Sequence, residues 1–539
     1  MVKRVMKPRP KAKRAAKAKR AAKPKAKSKR VAAAKAKSKR AAKPTNAVDM
    51  DSMRSGKGDW LERERTAEPF EVPDWANHFL EILGEEFGTL ARRQAGAPLK
   101  VTVWSDCCGL STEMFAARRI TESCKKLFGL ELDFKLYHAC DSDKVSKAVT
   151  MANHNPTHFS DDIFARDFDT GTIMCVKCNK IEQMPTAGLD IYVCGFPCGP
   201  WSPRGLRLGF NDSSSKQCFN AIKSIRHMRP VMYILENVVN ITASSTASEL
   251  SDFSEIKNFM VNQLPMYSAA TVKNLNPTHA GYPTNKKRIL IVGVRNDCGS
   301  LAALQCSLAK MLNNPMPVAD TYASMLKLGA APSWERLRQM PSPEELSRVQ
   351  CTCTLDPTTV CQLHKCKCNK CTEAQPLACR WREKALKFID DHFGSSFISE
   401  EVCKLTYVQT LELAGLPGPS SARERNLLNL ISYLPQCSPM RETLAVLDIT
   451  QAVDYVCVKV DGTVPTGATN TVYWSMRHGR KLSTSGMGAL MGHDMPGFRL
   501  PNDLSESQFR GLLGNGLHTA AIGVCMCGAI AAIAGPSRP

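Results

Sequence analysis

Sixteen residues from Asp190 to Gly205, reading DIYVCGFPCGPWSPRG, constrain this chain more than any other stretch. Asp190, Ile191, Tyr192, Val193 and Cys194 have the character of a buried parallel strand, and Gly195, Pro197 and Pro200 forbid its continuation. Cys198 therefore sits in a loop at a strand's carboxyl end, which is where open α/β sheets bind ligands. Most cysteines are small buried hydrophobes; in such a loop the alternative is a nucleophile, whose reacting form is the thiolate.

The pattern repeats upstream. A strand from Leu99 to Trp104 opens into Ser105-Asp106-Cys107-Cys108-Gly109-Leu110-Ser111-Thr112-Glu113 before a helix through Met114 to Ile120. A glycine turn joining strand to helix offers backbone amides to a ligand. Tyr137 to Asp143 then ends a second strand in acids, as a ribose-binding carboxylate does, and Phe159-Ser160-Asp161-Asp162-Ile163 closes a third unit. Downstream, the apolar run Pro230 to Val238 ends in Glu236-Asn237-Val238, and Gly281 to Arg288 precedes a strand over Ile289 to Val294. An acid at a strand end is often only a helix cap.

Taken in order, these blocks resemble the cytosine-C5 DNA methyltransferases, over roughly residues 98 to 296 and 477 to 530. Pro197-Cys198 and Glu236-Asn237-Val238 are the specific matches. The resemblance implies a Rossmann-like α/β core that uses S-adenosylmethionine, with an inserted, mainly helical target-recognition domain. It implies that Cys198 adds to cytosine C6, Glu236 engages N3 and Arg288 holds the base carbonyl or a phosphate. It places Gly109 and Leu110 near the methionine part of the cofactor, Asp141 on the ribose, Asp162 with Ile163 at the adenine, and Asn515, in the Gly514-Asn515 pair, beside the cofactor. The chain departs from the family at Cys107 and Ser111-Thr112, where the family has Phe and paired glycines. It departs again at Thr284 and Lys286, which stand for a Gln and an Arg. The rival readings are a tRNA cytosine methyltransferase and a non-catalytic chromatin-binding protein that kept the fold.

Charge divides the chain unevenly. Residues Met1 to Pro44 carry 20 Lys or Arg and no acid, against a net charge of +22 for the whole chain. This Lys/Ala/Pro tail cannot bury a core and resembles linker-histone tails; such density of charge neutralises phosphates and releases counterions. It implies contact with DNA and chromatin, and a nuclear location. The 23 cysteines follow no secretory signal, so reduced thiols are expected, and no run is expected to span a membrane. Cys351 to Cys371, with Cys353, Cys361, His364, Cys366 and Cys368 between, is a candidate zinc segment; Cys175-x-x-Cys178, in an expected loop, is a weaker one.

The expected organisation is a basic tail and linker over 1–65, an amphipathic helix within 66–97 packed against the first sheet element, and a catalytic core over 98–300. A recognition domain over 301–475 and a return to the core over 476–539 complete it. Oligomeric state has no signature here.

Overall fold

In the computed structural model the described residues are 70–534, except 95, 203–204, 206, 244–250, 319–320, 329–406, 409–410, 412–415, 417, 420, 433–443, 452–455, 494 and 496. The basic tail, the Cys351 to Cys371 segment and much of the expected recognition domain lie outside them.

Seven strands build one twisted sheet: β1 (Leu99–Asp106), β2 (Leu132–Cys140), β3 (His158–Ser160), β6 (Ile191–Cys194), β7 (Met232–Val238), β8 (Tyr267–Leu275) and β9 (Arg288–Arg295). A hairpin, β4 (Thr172–Cys175) with β5 (Lys180–Gln183), stands apart from it. The order across the sheet is β3-β2-β1-β6-β7-β9-β8, and β9 alone runs against its neighbours. Chain order reverses between β1 and β6. At such a switch point the strands' carboxyl ends leave a crevice, and this is the Rossmann-like arrangement the sequence implied.

Helices cover both faces. On one lie α1 (Trp75–Ile82), α2 (Gly84–Arg93), α3 (Thr112–Phe128) and α7 (Leu301–Asn313), packed around α11 (Thr519–Ala534). On the other, α5 (Gln217–Met228) packs with α6 (Asp252–Gln263). The expected amphipathic helix of residues 66–97 is thus two helices, and they pack against α3 and α11 rather than against the first strand. Gly523 is required there, because a Cβ would lie 2.0 Å from the Trp75 ring.

Three expectations change. Residues 506–534 are long and apolar enough by composition to cross a membrane, contrary to the expectation that no run is, but their most apolar 18-residue stretch is 89% buried within the protein. The sequence there is apolar all round because α11 is a core helix. Second, α7 packs against α11 and β8, so the core extends past residue 300. Third, the described part of the segment expected to be mainly helical adds strands to α8 (Ala422–Ser432): β10 (Val446–Asp448), β11 (Val458–Lys459) and β12 (Tyr473–Ser475) form a four-stranded antiparallel sheet with β13 (Arg480–Lys481), just beyond that segment. These strands are too short for alternation to show. They and α8 enclose a separate small core around Leu428, Ile431, Leu447 and Trp474.

Candidate active site

The crevice at the switch point is a cavity of about 350 Å³, within the range of roughly 300–1,000 Å³ usual for small-molecule sites. Strand ends bring its walls together. The end of β1 and its turn supply Ser105 to Gly109, β2 supplies Asp141, and the segment after β3 supplies Asp161, Asp162 and Ile163. The loop after β6 supplies Phe196 to Gly199, the end of β7 Glu236, the start of β9 Arg288, and α10 (Glu506–Asn515) Leu512 and Asn515. Of the residues singled out from sequence, Cys198, Glu236, Arg288, Gly109, Asp141, Asp162, Ile163 and Asn515 all face this one cavity. Leu110 does not: its side chain is fully buried in the core beside α10, because the turn rotates it inward.

The Cys198 loop is held by its backbone. Trp201 N and Ser202 N donate to Cys198 O at 3.0 and 2.8 Å, and Trp201 Nε1 donates to Asp252 Oδ2 at 2.7 Å. Asn237 Nδ2, next to Glu236, donates to Phe196 O at 2.9 Å, which ties the loop to the end of β7. Glu236 Oε1 meets Arg288 Nε at 2.8 Å. Gly195 lies against the other oxygen, with Glu236 Oε2 3.5 Å from where a Cβ would stand, an ordinary contact distance. Burial raises the pKa of the Cys198 thiol and Glu236 adds to this, while Arg288 and Lys286 pull it down. Burial also raises Glu236, against Arg288 and Lys286. A carboxyl held toward its protonated form can donate as well as accept.

Thr284 and Lys286, the departures from the family pattern, are both buried and hydrogen-bonded. Thr284 Oγ1 donates to Leu490 O at 2.7 Å, and Lys286 Nζ to Gly514 O at 3.1 Å, at the carboxyl end of α10. A cation suits that helix end, although burial and Arg288 lower the Lys286 pKa to about 7. Lys286 thus anchors the segment that carries Asn515.

On the β1–β2 side of the cavity, Gly109 has φ +53° and its amide donates to Asp141 Oδ2 at 2.8 Å. The glycine amide therefore orients the acid rather than standing open to a ligand. Asp143 N donates to the other oxygen at 2.9 Å. Asp162 caps the turn that follows it, accepting from Phe164 N at 2.8 Å.

Sequence reasoning missed Glu113. An acid in the first turn of a helix reads as a partner of the helix dipole, and only its burial shows otherwise. It is 1% exposed and lines the cavity, and neither its Oε1 nor Ser105 Oγ has a hydrogen-bond partner among the described residues. Burial raises its pKa from 4.5 to about 7, with Ser105 nearby moderating the rise without closing a hydrogen bond. Between those values the folded protein holds a proton that the unfolded chain releases, so stability falls as pH rises through that window. Above it the buried carboxylate costs about 3 kcal/mol. Glu113→Gln is therefore expected to stabilise the ligand-free protein in urea unfolding at pH 8 and to leave it unchanged near pH 4. Equal shifts at both pH values would contradict this. A buried carboxylate with one oxygen unpartnered, beside a carboxylate-lined crevice, fits a cationic ligand with ribose hydroxyls, such as S-adenosylmethionine.

Residues 115–329 match the family described as C-5 cytosine-specific DNA methylase. The type II methyltransferase M.SsoII of Shigella sonnei is 32% identical over 133 residues, 24% of this chain and 32% of that protein. M.HhaI of Haemophilus parahaemolyticus is 33% identical over 118 residues, 22% of this chain and 34% of that protein. The chain thus spans about a third of the length of these curated relatives. Among solved structures, the S. pombe Dnmt2 methyltransferase is 10% identical with a TM-score of 0.37, covering 79% of this chain and 97% of that one.

Proposed function

We propose, from a chain whose residues 115–329 match the C-5 cytosine-specific DNA methylases, that this protein methylates C5 of cytosine in DNA. The observation that carries the reading is that Cys198 and the Glu236–Arg288 pair line the same cavity as Asp141 and Glu113.

S-adenosylmethionine, when bound, supplies an electrophilic methyl group on a sulfonium. Asp141 is the residue for its ribose, Asp162 and Ile163 for its adenine, and Glu113 for its positive charge, with Asn515 closing the cavity. The remaining chemistry belongs to the protein. A cytosine stacked in a duplex is out of reach, so the base must be turned out into the crevice. The Cys198 thiolate adds to C6, which converts C5 into an enamine carbon able to accept a methyl group. Glu236 holds N3 and offsets the negative charge that develops on the ring during this addition. Arg288 keeps Glu236 in place and presents its guanidinium to the base carbonyl or a phosphate. Loss of the C5 proton to solvent water then breaks the C6–sulfur bond, expels Cys198 as the thiolate and restores the ring.

The basic tail supports a chromatin-associated, nuclear enzyme, since its 20 cations bind phosphate without sequence preference. The test of the reaction is isotopic. With methyl-labelled S-adenosylmethionine and either duplex DNA or tRNA, digestion to nucleosides should yield labelled 5-methyldeoxycytidine from DNA. Label confined to RNA cytidine would reassign the substrate, and no labelled product would favour a fold kept without chemistry.

A further inference from the structure

The β4–β5 hairpin lies outside the chemistry described so far, yet it assembles ligands that a hairpin has no structural need for. Cys175 ends β4, Cys178 stands at the tip, and His158 opens β3 across from them. One ligand atom from each of the three lies within 4.8 Å of the others, and Cys178 Sγ is 3.8 Å from His158 Nδ1. Tetrahedral zinc, with bonds of about 2.3 Å to sulfur and 2.0 Å to nitrogen, places its ligands roughly 3.5–3.8 Å apart. Small rotations of two side chains close the difference.

The backbone is shaped for the same task. Phe159 N and Cys178 N both donate to Cys175 Sγ, at 3.4 and 3.3 Å, an arrangement that favours a thiolate over a thiol. Asn179, directly after Cys178, has φ +55°, so the chain turns back at once and leaves both sulfurs on one side of the tip. Lys177 Nζ bonds to Asn155 Oδ1 at 2.8 Å and fixes the tip beside β3. Glu182 on β5 brings Oε1 to 3.9 Å from the same His158 Nδ1, an acceptor that orients the imidazole.

We propose that Cys175, Cys178 and His158 form a three-ligand zinc site that clips the β4–β5 hairpin to β3. Two thiolates and an imidazole are a donor set that zinc prefers to calcium or magnesium. The clip lies next to the cofactor crevice in sequence, since Asp161 and Asp162, just beyond β3, line the cavity. It differs from the Cys351 to Cys371 segment, so the test must tell the two apart.

Full-length protein, stripped with a chelator and then titrated with zinc, is treated with N-ethylmaleimide, and alkylation is followed peptide by peptide. Cys178 is exposed in the hairpin, so it should react readily in stripped protein and at least about tenfold more slowly once zinc is added. In parallel, Cys175→Ser/Cys178→Ser should hold one zinc per chain fewer than wild type after dialysis. Cys178 reacting equally fast with and without zinc would overturn the site, as would undiminished zinc in the double variant or a Cys175–Cys178 disulfide in protein purified under reductant. The alkylation readout uses wild type only and stands even if the double variant misfolds.

Discussion

Cys198→Ser should lower the rate of methyl transfer by at least about three orders of magnitude while leaving cofactor affinity and folding unchanged. The substitution removes one polarisable sulfur and keeps the shape of the side chain. The loop itself depends on backbone bonds from Trp201 N and Ser202 N to Cys198 O and on Asn237 holding Phe196 O, none of which uses the thiol. What is lost is acidity: a serine hydroxyl cannot ionise near neutral pH, so nothing adds to C6. Even the native thiol is held toward its protonated form by burial and Glu236, with Arg288 and Lys286 countering. Single-turnover rates of the wild type should therefore rise with pH above neutrality, a dependence the variant lacks. DNA carrying 5-fluorocytosine separates reaction from binding, because fluorine at C5 cannot leave as the proton does and the enzyme stays bonded to C6. A covalent complex on a denaturing gel is expected from wild type alone. An adduct with Cys198→Ser, or transfer by it at a tenth of the normal rate, would remove Cys198 from the mechanism.

The parts of this site that were legible in the sequence share one physical property. Ile191 to Cys194 and Met232 to Leu235 are buried on both sides, so their composition shows them as central strands, and Gly195 ends the first while Glu236 marks where the second reaches the crevice. Residues at those ends follow from the topology. Residues whose role comes from three-dimensional burial left no such mark. Glu113 looks like an ordinary helix-start acid, Leu110 like part of an accessible turn, and His158 like a strand residue unrelated to Cys175 seventeen positions later. The β10–β13 sheet escaped notice because strands of two or three residues have no period. Arg166 is the largest omission. An arginine in a loop reads as solvated, and only the structure shows it fully enclosed.

Arg166→Met should destabilise the protein by about 3–5 kcal/mol, the loss expected when one partner of a buried ion pair is removed. Both side chains of the Arg166–Asp106 pair are 0% exposed. Arg166 Nη1 donates to Asp106 Oδ2 at 2.6 Å and also to Ser224 Oγ on α5. Tyr192 Oη on β6 donates to the same carboxylate, as does Trp104 Nε1 on β1 at 3.0 Å. The guanidinium lies 5.4 Å from the centre of the Trp104 ring. Burial alone would lower the arginine's pKa, but Asp106 reverses this and holds it above the ordinary value. The network thus joins β1, β6, α5 and the segment after Ile163 behind the cofactor crevice. Methionine fills much of the volume but leaves Asp106 charged in an apolar interior with two neutral donors. Because removal of both charges leaves no such orphan, Asp106→Asn/Arg166→Met should recover a substantial part of the loss, and a double-mutant cycle in urea measures the coupling. The single variant should also bind S-adenosylmethionine more weakly, since Asp162 precedes Arg166 by one turn of chain and Asp106 leads into Cys107 and Gly109. A single-variant loss below about 1 kcal/mol, the value typical of exposed pairs, would show that the pair is solvated in the working protein. The switch-point crevice would then owe its shape to packing alone.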